Sequence, residues 1–368
     1  HDREEDGDQS KTRQAKKARG TSAGCLLLDS HGYPYHSERD GAYANGGSST
    51  WTAYAVTSRG ARFQLFIHAQ EPPGVSRLLF KADMPADILT PCNTIPYFLR
   101  GPRSVEFNLR VTSSDDKALL LQALCVGTDY FIMERLGGVS PPVLTRLPEM
   151  MPPCVHSELG LMRRNDGYVV AALQQAAPTE AWHVSFFSSS TNAWHRKAAH
   201  LAPELGNWSY WEIVAVLACG GRFWWLDLRR GLLSCSCDSL LLQEDDDLPI
   251  KSTSSSPPPL CDHCRGGSVQ SWTLNDNRLA WAEDHTLKLA DVWRDDSYGT
   301  TGLPREAPEF PLVDRLDPNV VYFSFIKRGG DGDSHVFGVD LRTRKVKSCS
   351  CSLNDHVYNA LQRVMCTD

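Results

Sequence analysis

The sequence has no apolar run near the roughly 20 residues that a membrane-crossing helix needs. Its first twenty residues lack the apolar stretch of a secretory signal and instead gather Arg13, Lys16, Lys17 and Arg19. Nor is there a basic excess. The formal net charge is -6, the wrong sign for a surface that must displace counterions from nucleic-acid phosphates. Catalytic signatures are missing too: there is no G-x-S-x-G elbow, no phosphate loop and no H-E-x-x-H. Twelve Cys at scattered spacings predict reduced thiols rather than a disulfide framework. Together these absences predict a soluble intracellular protein, cytoplasmic or nuclear, that binds neither nucleic acid nor membrane. The chain opens on His1 rather than Met, which leaves room for a targeting segment upstream.

What is present points to strands. Ten Trp, thirteen Phe and eleven Tyr favour them, in a chain of 368 residues with 41% hydrophobic and 22% charged content. Short apolar segments return in sets of three, separated by Gly, Asn and Asp turns. The sets are 51–57, 62–69 and 76–82; 117–126, 129–135 and 143–147; 168–174, 182–188 and 194–198. After them come 211–218, 222–228 and 232–237; 269–274, 278–282 and 287–292; and 320–326, 335–339 and 345–351. One such unit cannot bury both faces alone. The expectation is therefore an all-β, propeller-like array of about six sheet units, with paired β-sandwich-like sheets as the alternative. Residues 1–22 are polar and predict a disordered tail; 23–353 form the β-repeat domain. Within it, 243–268 carries the acidic run Glu244 to Asp247 and a Ser-Pro stretch, and predicts a long exposed loop. Residues 354–368 predict a short C-terminal helix, with Val357, Leu361, Val364 and Met365 on one face.

Two units repeat in detail. Trp225-Leu226-Asp227-Leu228-Arg229 leads into Leu233-Ser234-Cys235-Ser236-Cys237, and Gly338-Val339-Asp340-Leu341-Arg342 leads into Lys347-Ser348-Cys349-Ser350-Cys351. Three stretches resemble a known plant family, the domain of unknown function 1618. They are Cys25-Leu26-Leu27-Leu28-Asp29-Ser30-His31-Gly32-Tyr33, Glu71-Pro72-Pro73-Gly74-Val75-Ser76-Arg77 and, above all, the block from Gly221-Arg222-Phe223-Trp224-Trp225 to Leu233. The resemblance runs discontinuously from about 25 to about 300. It implies a grass-expanded family with no established activity, similar to F-box-associated β-repeat domains, and it carries over no catalytic residue. The loop at 243–268 departs from that pattern.

Four local patterns bear on chemistry. Cys261-Asp262-His263-Cys264 places two thiols three apart, a spacing that grips zinc, and Cys235 and Cys237 are the pair that could complete four ligands. Against this, Leu233, Cys235 and Cys237 alternate as the core face of a strand, and Cys261 and Cys264 read equally as surface thiols. Cys219 before Gly220-Gly221, with His183, His195 and His200 as bases, holds nucleophile chemistry, but the diglycine reads first as a hairpin turn. Asp29-Ser30-His31 holds triad residue types, although adjacency in sequence does not build a triad. Phe223, Trp224 and Trp225 must alternate sides of a strand, either packing between sheets or presenting a hot spot. The leading expectation is a non-catalytic module that binds a protein partner, as the substrate-binding part of an F-box-type adaptor. A hydrolase-like enzyme and a zinc-stabilised binding domain are the alternatives.

Overall fold

A computed structural model describes residues 25–35, 50–70, 74–84, 107–115, 118–125, 127–134, 136, 141–150, 158–165, 167–175, 181–201, 211, 213–227, 231–242, 248–253, 267–275, 280–314, 317–325, 334–352 and 361–366. Among the described residues strands predominate, with a few short helices. The first sheet holds β1 (Cys25–Pro34), β2 (Thr50–Val56), β3 (Arg62–His68) and β4 (Val75–Asp83). The second holds β5 (Asn108–Asp115), β6 (Ala118–Leu124), β7 (Thr128–Glu134) and β8 (Val143–Arg146). The third holds β9 (Gly160–Arg164), β10 (Gly167–Gln175), β11 (Trp182–Ser188) and β12 (Ala193–Leu201). The fourth holds β13 (Ala215–Cys219), β14 (Arg222–Asp227), β15 (Gly231–Ser236) and β16 (Leu248–Thr253), with helix α1 (Cys237–Leu241) between its last two strands. The fifth is the hairpin β17 (Ser268–Asn275) and β18 (Ala280–Lys288), followed by α2 (Leu289–Arg294) and α3 (Asp296–Gly299). The sixth holds β19 (Glu309–Val313), β20 (Val320–Phe325), β21 (Ser334–Asp340) and β22 (Lys345–Ser352), and β23 (Leu361–Cys366) follows it.

Alternation along the strands builds the cores. On β3, Phe63, Leu65 and Ile67 enter one core with Leu109, Leu121 and Phe131 of the second sheet. Full burial of such side chains contributes roughly 1.5–3 kcal/mol each. β11 is buried along both faces: Trp182, Val184 and Phe186 join a core with Phe223, Trp225 and Leu233 of the fourth sheet, while Phe187 joins one with Leu120 and Ile132 of the second. Leu27 and Val75 meet Val320, Tyr322 and Val336 of the sixth sheet. Leu287 and the α2–α3 segment cover the other face of that sheet through Val292, Tyr298 and Phe337. The first to the fourth sheets therefore share cores pairwise in chain order, as do the fifth and the sixth, and the sixth packs on the first.

That is a propeller-like order. The first strands of successive units also neighbour one another: β5 lies beside β9, β9 beside β13, and β23 beside both β19 and β5. Superposed on this, sheets are joined in pairs. β1 meets β5 at His31 and Arg110, and the far strands β2 and β8 approach each other. β12 runs parallel to β16 from Ala199–Leu248 to Leu201–Ile250. The six-unit array therefore carries edge-to-edge joins between neighbouring sheets, which are not the face-to-face packing of the β-sandwich alternative.

Three expectations are corrected. Residues 361–366 form a strand, not part of a helix: β23 runs antiparallel to β1, from Cys25–Cys366 to Asp29–Leu361. Leu361, Val364 and Met365 fit a helical face, but six residues cannot separate the two periods, and the edge of β1 supplies the ladder. Asn354, Asp355 and Val357 lie outside the described residues. The segment 243–268 is not one loop, because β16 inserts between β15 and β12 with Leu248 and Ile250 buried. Its acidic and Ser-Pro flanks mask a short apolar alternation. In the fifth unit, 287–292 is not a third strand, because β18 runs on to Lys288 and the chain then turns helical.

Candidate functional site

A groove among the described residues lies on the first sheet, on the face turned away from the core. β2, β3 and β4 pair in register so that Tyr54 opposes Gln64 and Gln64 opposes Lys81, while Val56 opposes Arg62 and Arg62 opposes Asp83. Strand alternation then puts both rows on one face. With Ala55 and Phe63 they line a cavity of about 360 Å³. Tyr54 is 69% exposed and Val56 is 49% exposed, an uncommon state for two large apolar side chains side by side on a strand. The Gln64 amide donates to the Tyr54 hydroxyl at 2.8 Å and fixes the ring upright. Arg62 and Lys81 have neither a hydrogen-bond nor an ion-pair partner among the described residues.

The residues singled out in the sequence fall elsewhere. Cys261 and Cys264 lie outside the described residues. Cys235 and Cys237 are fully buried in the core between the third and fourth sheets, and burial pushes the Cys235 thiol up to about 12. A thiol held neutral in that way packs as a small apolar group and is a poor metal ligand. Trp225 enters that core, and Trp224 on the opposite face is also buried, under the Arg222 guanidinium 5.6 Å from its ring centre. Neither presents a hot spot.

Among the described residues the nucleophile readings find no relay geometry. Cys219 is exposed on the turn before Gly220 and Gly221, whose φ values of 58° and 70° are the left-handed pair of a tight hairpin. The imidazole of His183 is engaged on both sides: Arg196 donates to Nδ1 at 2.9 Å, and Nε2 lies 3.2 Å from the Gln174 carbonyl oxygen. That oxygen also accepts from the Ser185 hydroxyl at 2.7 Å. Burial, with Arg196 adding to it, pushes His183 down to about 4. His195 stacks on Phe186 and bonds to Thr191, and the His200 side chain lies outside the description. In Asp29-Ser30-His31, the Ser30 hydroxyl is 3.0 Å from Nδ1 of His31. The Asp29 carboxylate, however, accepts from the His31 backbone N–H at 3.0 Å and the Tyr33 hydroxyl at 2.6 Å, not from the ring. Ser30 is buried, so the three residue types do not assemble a relay.

Sequence reasoning located the strands that carry the groove but singled out none of its residues. It also missed a polar tie between the first two sheets, where Asp129 accepts from the Ser58 backbone at 3.1 Å and the Ser58 hydroxyl at 3.0 Å, with Arg146 at 3.4 Å. The faint signal for the groove is that Tyr54 and Val56 alternate with Ala53 and Ala55, which leaves β2 apolar on both sides.

A family described as a protein of unknown function (DUF1618) matches residues 244–322. The match spans β16 to β20 and takes in the acidic and Ser-Pro segment that the sequence resemblance set aside, while the block from Gly221 to Leu233 lies outside it. No curated protein matches the chain. Among solved structures, a putative 6-phosphogluconolactonase from Bacteroides uniformis is similar over 82% of this chain and 82% of its own, at 11% identity and a TM-score of 0.33. The WD40 domain of SCAP from fission yeast is similar over 85% of this chain and 79% of its own, at 11% identity and a TM-score of 0.33. A lectin of Aleuria aurantia is similar over 84% and 80%, at 8% identity and a TM-score of 0.21.

Proposed function

We propose that the chain is a non-catalytic protein-interaction module with no resident cofactor, its strand scaffold holding a grooved sheet face for a protein partner. The observation that carries this reading is the groove on β2–β4, where Tyr54 and Val56 stand exposed beside two unpartnered cations. Exposed aromatic and Arg side chains on a rigid support are the composition of binding hot spots. Each candidate nucleophile described above is buried, engaged or without a base. The finer role we assign is the substrate-binding part of an F-box-type adaptor in a plant cytoplasm or nucleus, supported by the family resemblance. No helix among the described residues is long and apolar enough to cross a membrane.

The test is affinity capture from a plant extract with the intact chain and with a Tyr54→Ala, Val56→Ser variant as baits. The expected result is a specific partner retained by the first and lost from the second, at unchanged circular dichroism. No retained partner, together with turnover in a broad hydrolase and transferase screen that one point change abolishes, would overturn the reading.

A further inference from the structure

We infer that the groove takes an extended segment of a partner protein in which one carboxylate side chain neighbours an apolar one, a deepening that rests on the interaction reading above. The two rows set the charge pattern. Arg62 opposes Asp83 and Gln64 opposes Lys81, so Arg62 and Lys81 are diagonal neighbours on adjacent strands. Diagonal positions lie roughly 7–8 Å apart, close enough for one carboxylate to meet both long cationic side chains. Neither cation has a partner among the described residues, although Asp83 stands directly across from Arg62.

Counting the lining charges, one Arg and one Lys against one Asp leave a single positive charge. A carboxylate balances it. A phosphate group, which carries nearly two negative charges, would overfill it and meet Asp83. The long phosphate run of a nucleic acid would also meet the repulsion of a chain with net charge -6.

The apolar half of the recognition comes from β2. Tyr54 and Val56 project side by side, and the Tyr54 hydroxyl already accepts from Gln64, so the ring face and the Val56 methyls remain for an apolar neighbour. The cavity, about 360 Å³ across three strands, suits individual side chains of an extended segment better than the broad face of a folded domain.

The probe is a phage-displayed library of short random peptides selected on the intact chain, with affinities of synthetic copies read by fluorescence anisotropy. Selected peptides are expected to share an Asp or Glu close to a Leu, Ile, Phe or Tyr, and to weaken as ionic strength rises. Arg62→Ser with Lys81→Ser, and separately Tyr54→Ala, should each weaken binding by about tenfold or more, at unchanged circular dichroism. Peptides that depend on Tyr54 but show no acidic preference, or ignore the double substitution, would overturn this inference and leave the interaction module standing. Replacement of the acidic residue by phosphoserine with a gain in affinity would overturn the single-carboxylate assignment in the same way. A library that yields no peptide sensitive to any of the three substitutions would remove the groove from both readings.

Discussion

Adjacent tryptophans on β14 offer a test in which burial alone predicts the wrong order. Trp225 is fully buried and its indole nitrogen has no hydrogen-bond partner among the described residues. Trp224 is 5% exposed, donates through Nε1 to the Cys219 carbonyl at 3.3 Å and lies under Arg222. Replacing either with Phe removes a similar slice of apolar area, about 1 kcal/mol. At Trp225 the change also removes a buried unpaired donor that costs about 1–3 kcal/mol to leave unsatisfied, so Trp225→Phe should come out between neutral and about 2 kcal/mol more stable. At Trp224 the change deletes a made hydrogen bond, about 0.5–1.5 kcal/mol, and weakens a cation–π contact of about 0.5–1 kcal/mol. Trp224→Phe should therefore cost about 2–3 kcal/mol, more than the change at the more buried site. Trp225→Ala, which opens a cavity in the core, should cost about 3–5 kcal/mol. Urea denaturation followed by circular dichroism reads all three. A Trp225→Phe variant that loses more than Trp224→Phe would refute the reasoning, because it would mean that the indole nitrogen is satisfied or that shape alone governs the site.

Two further outcomes follow from the same cores. Because His183 is pushed down to about 4 when folded, the unfolded chain takes its proton first as pH falls below about 6.5, and stability should drop by up to about 3 kcal/mol between there and pH 4. Above 6.5 the term is flat; His183→Gln should flatten the acid limb in a pH series of denaturation midpoints, and an unchanged limb would contradict it. Ending the chain after residue 360 deletes β23 and bares the edge of β1, which should lower the thermal midpoint by several degrees and promote association on size exclusion. An unaltered elution volume with an unaltered midpoint would show that the last strand does not hold the array together.

The strands that the sequence reveals are those whose side chains carry their own pattern. Residues 182–188 were readable as a strand because Trp, Val, Phe and Phe leave no other use for seven residues, and the observed β11 has those bounds. The first strands of the second and third units were not readable. Asn-Leu-Arg-Val-Thr-Ser-Ser-Asp and Gly-Leu-Met-Arg-Arg are short and half polar, and what fixes them lies far away. Ser113 accepts from the Leu161 backbone at 2.9 Å across 48 residues, and Asp115 from that of Arg163 at 2.5 Å. β23 and β16 were hidden for the same reason, since each is defined by the strand it joins. The cysteine reading holds for burial: Leu233 and Cys235 alternate on β15, and Cys237, the first residue of α1 rather than the end of the strand, joins the same core. Ser234, on the opposite side of the strand, is buried as well, under a hydrogen bond from Arg222 at 2.9 Å. The cysteine reading does not extend to Cys349 in the sister repeat, which is exposed.

The groove was illegible because nothing in 50–83 says which neighbour covers it. A comparison within the fold shows that its exposure is not a general property of outermost strands. Trp194, on the last strand of the third sheet, occupies a place like that of Tyr54 on the far strand of the first. Its ring packs edge-on to Phe187 at 5.6 Å, and its indole donates to the Pro148 carbonyl at 2.8 Å, so the large aromatic there joins the core with the second sheet. Among the described residues, the core that the sixth sheet shares with the first reaches it through Leu27 and Val75 and includes no residue of β2. The same kind of side chain is packing in one sheet and surface in the other, and the difference lies in how far the neighbouring sheet reaches. Covering Tyr54 as Trp194 is covered would contribute about 1 kcal/mol or more. Among the described residues Tyr54 and Val56 therefore join no core, and that surface beside Arg62 and Lys81 is the one the proposed partner would cover.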